Sequence, residues 1–139
     1  MTWAEFEQEA PELAECARRL LGGDATTGFI STVARDGRPR IAPVSPIFTQ
    51  DNLYLCVVEA TPKRHDLVND GRYVLHANLG AEDEEFQVSG RATLVTDVVE
   101  RDLVHAAITF QFERTDPVFS LQVDRCFRGY WVRPGPGYS

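Results

Sequence analysis

Lysine is almost missing from this chain. Of its fourteen cationic residues thirteen are arginine, and Lys63 is the single exception. Codon usage in a GC-rich genome accounts for such a bias, yet the place of the one lysine needs its own account. Cysteine is also scarce. Cys16, Cys56 and Cys126 form an odd set without close spacing, which fits neither a disulfide framework nor a zinc motif and suits small buried apolar residues. No apolar run approaches the ~18 residues of a membrane span. No charged segment followed by an apolar stretch opens the chain, so a reduced, cytoplasmic setting is expected. Positive charge is in deficit: 14 cationic against 21 acidic side chains leave a net charge of −7. That balance argues against a general nucleic-acid binder, which needs a clustered positive face for phosphates.

What remains is an ordinary soluble composition, with 43% apolar and 25% charged residues over 139 positions. One domain spanning 1–139 is expected, burying roughly 68–70% of the surface an unfolded chain exposes. Residues 2–21 read as helix. Thr2 and Glu5 have capping-box spacing, and Phe6, Ala10, Leu13, Ala17 and Leu20 share one stripe. Pro11 requires a kink or a restart. From Gly28 the period becomes that of strands: 28–34, then Asp36-Gly37 as a two-residue turn, then 38–48 and 53–58, an antiparallel meander. A short helix over 61–70 precedes strands at 73–79 and 86–94, the latter broken at Gly90 by a bend or bulge. A helix from Asp97, with Glu100 completing a second capping box, presents Val99, Leu103, Ala106 and Phe110 on one side. Strands at 118–123 and 125–132 and a flexible tail at 133–139 complete the chain. The expected fold is mainly β with α: a six- to seven-stranded antiparallel barrel with two or three peripheral helices.

Chemistry concentrates in Thr61-Pro62-Lys63-Arg64-His65-Asp66-Leu67. Thr61 suits an N-cap and Pro62 the first helical position. Two cations in a first turn oppose the helix dipole. They make sense where an anion docks, so that backbone N–H groups, the Thr61 hydroxyl, Lys63 and Arg64 converge on one phosphate. A solvated turn paired with Glu59 or Asp66 reads the same spacing equally well. Pro43-Val44-Ser45-Pro46 cannot sit wholly inside a regular ladder, which frees backbone at Val44 and Ser45 to meet a planar heterocycle, or leaves a plain irregular edge. His76 with Asp83, Glu84 and Glu85 lacks a diagnostic metal spacing, and the acids read as a solvated loop; no metal is expected. His65 and His105 read as surface or helix-face residues. No nucleophile–base pair is visible. Trp131 and Tyr130 suit either a ring pocket or core and dimer contacts.

Taken in order, Phe29 to Val33, Asp36-Gly37-Arg38-Pro39-Arg40, Asn52-Leu53-Tyr54-Leu55, Thr61 to Leu67, Arg72-Tyr73-Val74-Leu75-His76 and Glu85 to Ala92 resemble one family. The chain is similar, over about residues 28–96, to the pyridoxamine 5′-phosphate oxidase-like proteins, the flavin/deazaflavin oxidoreductases with an FMN-binding split β-barrel. The resemblance implies a homodimer with two cofactor sites at the subunit interface. It implies that Lys63 and Arg64, with Thr61 nearby, hold the cofactor phosphate. Arg40, Pro43, Val44 and Ser45 would line the ring system, with Tyr54, Cys56 and Val57 on the adjacent strand and Trp131 reaching in from the partner subunit. The implied cofactor is FMN, with the deazaflavin coenzyme F-420 or haem as alternatives. The cofactor carries the hydride while the protein positions it. The stretch after Trp131 departs from true pyridoxamine-phosphate oxidases, having no histidine, so a different small-molecule substrate is expected. Two rivals remain: a non-catalytic flavin- or haem-binding or storage protein, and an interaction domain with a degenerate pocket.

Overall fold

The sheet begins and ends on strands that are consecutive in sequence. The computed structural model describes residues 1–23 and 27–131. Its strands are β1 (Gly28–Val33), β2 (Pro39–Val44), β3 (Ile47–Phe48), β4 (Leu53–Cys56), β5 (Arg72–Ala77), β6 (Glu84–Leu94), β7 (Val118–Leu121) and β8 (Arg125–Tyr130). They pair antiparallel in the order β2-β1-β5-β6-β7-β4-β3, with β8 on β6. Laid flat, seven strands at ~4.8 Å spacing would set β2 and β3 about 29 Å apart. Only Ser45 and Pro46 join them, a link whose Cα trace spans at most about 11 Å. The sheet must therefore curl until its edges approach. The result is a split barrel with its seam at Ser45-Pro46.

The other corner lies in β6, the longest strand. Its first half pairs with β8 (Glu84↔Tyr130 to Ser89↔Arg125) and its end with β7 (Ala92↔Leu121 to Leu94↔Phe119). The handover falls at Gly90, where an added Cβ would lie 2.0 Å from the Gln122 carbonyl oxygen. No side chain fits there, so the break read from sequence is a close crossing of two backbones. The β1–β2 turn differs from the expected two-residue form. The Gly37 N–H bonds to the Ala34 carbonyl and the Ala34 N–H to the Arg38 carbonyl, with Gly37 at φ +90°. That is a three-residue loop closed by a left-handed glycine. The expected meander is also corrected: β1 takes β5 as its second neighbour, while β4 pairs with β3 and β7.

Helices cover the barrel. α1 (Trp3–Glu9) and α2 (Pro11–Leu21) are separated by a break at Ala10, with Pro11 restarting the second helix. The Thr2 hydroxyl accepts from the Glu5 N–H and donates to the Glu5 carboxylate. The break resets the helical phase, so α2 buries Ala14, Cys16, Ala17 and Leu21, and Leu13 and Leu20 only flank them. Trp3 is buried against Phe6 and Phe48. The main core joins these helices to Ile30, Leu53, Leu55, Leu75, Phe86, Val88, Phe119 and Leu121. α3 (Pro62–Asn69) packs across β1 and β6.

α4 (Val98–Ala106) departs from the sequence reading. It buries only Val104 and leaves Val99 and Leu103 about two-thirds exposed. Asp97 caps it by accepting from the Val99 N–H, whereas the Glu100 carboxylate is taken by the Tyr54 hydroxyl at 2.7 Å. Phe110 lies beyond the helix. Among the described residues no helix is long and apolar enough to cross a membrane. The expected tail at 133–139 and the end of the last strand at Val132 lie outside the described residues.

Candidate functional site

Beside the seam lies a cleft of about 270 Å³ lined by Thr27, Pro43, Val44, Ser45, Cys56, Val57, Val58, Lys63 and Phe110. Six residues singled out from sequence therefore meet: Pro43, Val44, Ser45, Cys56, Val57 and Lys63. β2 ends at Val44, so Ser45 and Pro46 fall outside the regular ladders of β1–β2 and β3–β4. The Ser45 hydroxyl has no hydrogen-bond partner among the described residues. Lys63 emerges half-buried from the first turn of α3. It makes no hydrogen bond or ion pair among the described residues, so its ammonium is available to an anion entering the cleft.

Thr61 sits behind this wall. It is the N-cap residue of α3, but its hydroxyl donates to the Val58 carbonyl at 2.7 Å instead of capping the helix. The other candidates lie elsewhere. Arg40 donates from Nε to Asp66 Oδ2 at 2.8 Å, and the Thr32 hydroxyl donates to the same oxygen at 2.7 Å. Asp66 is 4% exposed, and those two donors answer its buried charge. Arg64 lines a separate cavity of about 550 Å³ with Arg35, His65 and Asp66, and donates to His65 Nδ1 at 3.2 Å. Tyr54 is buried under α4, lining a third cavity with Glu100, Leu103 and Val104. Trp131 is exposed at the end of β8, its Nε1 donating to Glu85 at 3.1 Å. Within one chain, three strands, β6, β5 and β1, separate its strand from β2 in the sheet order.

The Cys56 thiol in the cleft and the Tyr54 hydroxyl under α4 both stay in their protonated, neutral forms near pH 7. Burial, reinforced by the Asp116 carboxylate, pushes the Cys56 thiol up to about 11. Burial and Glu100 raise the Tyr54 hydroxyl as well. Neither group is poised for proton transfer near pH 7.

Glu84 was missed as a structural residue. Far from a solvated loop, it is 2% exposed. Arg19 meets it at 2.7 Å, Arg128 at 2.7 Å, the Tyr130 hydroxyl at 3.0 Å and the Cys16 thiol at 3.5 Å. Hydrogen bonds from Arg19 first, then Arg128, Tyr130 and Cys16, hold its carboxyl well below the usual range against the opposing effect of burial. The signal was present: Glu84 shares the parity of Phe86 and Val88 along β6. His76 meets Glu85 at 3.3 Å. No cluster of three or more metal-ligating side chains exists among the described residues. Phe110, Thr27 and Val58 were not foreseen in the cleft, because only the closed barrel brings them together.

The family model described as pyridoxamine 5′-phosphate oxidase matches residues 13–125. The chain belongs to the pyridoxamine 5′-phosphate oxidase family. No curated protein sequence matches it. Solved structures share the fold of this family member at low identity. An FMN-binding protein from Syntrophomonas wolfei subsp. wolfei aligns at TM-score 0.69 and 19% identity over 93% of this chain and 94% of that one. A heme binding protein from Mycobacterium smegmatis aligns at 0.66 and 18% over 80% of this chain and 51% of that one. An F420 reductase aligns at 0.62 and 12% over 79% and 94%. The pyridoxamine 5′-phosphate oxidase family member described here thus has the same split barrel as proteins named for three different cofactors.

Proposed function

We propose that this chain is an FMN-binding oxidoreductase that moves a hydride between its flavin, or the deazaflavin F-420, and a small molecule other than pyridoxamine phosphate. One observation carries the reading: the only lysine, half-buried and unpaired among the described residues, shares a cleft with Ser45, which lies just past the end of the β2 ladder. Lys63 and the first turn of α3 would hold the cofactor phosphate, and Val44, Ser45 and Val57 would flank its ring. The bound group supplies the hydride chemistry. The protein binds, orients and shields it, which agrees with a cleft whose one thiol, Cys56, is kept protonated by burial. Haem fits less well: it needs an axial ligand, and the cleft offers no histidine and only Cys56, which burial keeps as a thiol.

The cleft of one chain is small for this ligand. At about 270 Å³ it falls below the roughly 300–1,000 Å³ of sites that enclose drug-sized ligands. We propose that a second copy completes it, docking on the apolar outer face where Phe29, Ile41, Val74 and Phe127 stand exposed, and bringing its own Trp131 to the cofactor. Titration with FMN and with F-420, followed by visible absorption, tests the cofactor, and sedimentation velocity tests the dimer. Saturable binding of one cofactor per chain to a two-chain particle is expected. Absence of saturable binding by both cofactors would overturn the assignment.

A further inference from the structure

A second compartment adjoins the cofactor cleft and differs from it in charge. It encloses about 160 Å³ and shares Ser45 and Phe110 with the cleft. The rest of its wall comes from Pro46, Ile47, Phe48 and Ile108 with their neighbours, and among the described residues none of its lining side chains is ionisable. The cofactor cleft has Lys63 and the neighbouring large cavity has Arg35, Arg64 and His65. A charged ligand entering the second compartment would give up part of its hydration and find no counter-ion among the described residues. A neutral one would lose little and would meet the Ser45 hydroxyl, which has no hydrogen-bond partner among the described residues. Pockets for drug-sized ligands begin near 300 Å³, so this one takes about a single ring.

We propose that this compartment is the substrate subsite and that it takes a neutral, one-ring molecule with a hydrogen-bonding edge, seated between Ser45 and Ile108 against Phe110. The proposal rests on reading the adjoining cleft as the cofactor site. It deepens that reading by fixing the charge and size of the substrate.

Three probes of one shape and different charge provide the test: benzamide, benzoate and benzamidinium, each titrated into the full chain by ligand-observed NMR with and without FMN. Benzamide should bind saturably, compatibly with FMN, and at least tenfold more tightly than either charged isostere. Its ring protons should give intermolecular NOEs to the Ile108 methyl groups. Ile108→Trp should abolish benzamide binding and leave the FMN titration unchanged, because Ile108 lines only the second compartment. Equal or tighter binding of a charged isostere, no saturable benzamide binding, or NOEs to residues remote from Ile108 would each overturn the proposal, and the NOE result stands even where the variant does not fold. Benzamide seated at Ile108 in a protein that binds neither FMN nor F-420 would sink the cofactor reading while leaving the neutral pocket in place.

Discussion

Lys63 and Arg64 are consecutive in the chain and serve different cavities. Lys63 lines the seam cleft; Arg64 turns about the α3 axis to the cavity of Arg35 and His65. Neighbouring residues on a helix project about 100° apart, which sets the two side chains toward different cavities here.

The two alanine variants should therefore separate. Lys63→Ala is expected to weaken FMN binding at least tenfold, as loss of a charge-assisted contact does. Arg64→Ala should change it less than threefold. Fluorescence titration of FMN reads both, and equal losses would restore the shared-phosphate arrangement expected from sequence.

Glu84 predicts an acid limb. Its carboxyl is held below the ordinary glutamate value of 4.5, so the unfolded chain takes up the proton first as pH falls. The stabilisation is complete above about pH 5 and declines as pH drops toward the folded-state value. Asp70, lowered to about 2 by Arg72, acts in the same direction. Urea midpoints of wild type and Glu84→Gln should differ clearly at pH 7 and converge toward pH 3. A gap independent of pH would contradict the ion cluster.

Gly90→Ala tests the β6 corner. The new methyl carbon would fall 2.0 Å from the Gln122 carbonyl oxygen, which a backbone cannot accommodate without shifting. Overpacking of this kind costs about 1–3 kcal/mol, measurable by urea denaturation, whereas an unchanged midpoint would show that the corner relaxes freely.

Cys56 offers a label inside the cleft. Its thiol sits at about 11, as does that of Cys126, which pairs with Val88 and packs against the main core. Iodoacetamide at pH 8 should modify both slowly, since the thiolate is the nucleophile, and Cys16, fully buried, not at all. Bound FMN should slow Cys56 several-fold and leave Cys126 alone. Mass spectrometry of the modified peptides decides, and equal rates with and without FMN would place the cofactor elsewhere.

Local structure was more legible in the sequence than pairing. The restart at Pro11, the short helix after Thr61 and the alternation of β6 follow from residues close in the chain. The β1–β5 pairing does not, because it joins strands more than forty positions apart and no turn signal announces it. The phase of α4 failed for a related reason: Val99 and Leu103 make an apolar stripe, but the barrel surface beneath them presents Tyr54, whose hydroxyl claims Glu100 and turns Val104 inward. In the cleft, residue types pointed to Pro43, Val44, Ser45 and Lys63, while the separation of Arg40 and Arg64 from them depended on the burial of Asp66 and on helix azimuth.

The Ser45-Pro46 link has a mechanical consequence. Barrel curvature here is enforced by tether length, since two residues hold together edges that an unrolled sheet would carry far apart. Glycines inserted between Ser45 and Pro46 would slacken that tether, letting the rim open while every ladder hydrogen bond stayed intact. Chain length at this one spot, more than side-chain chemistry, sets how wide the mouth of the barrel can gape.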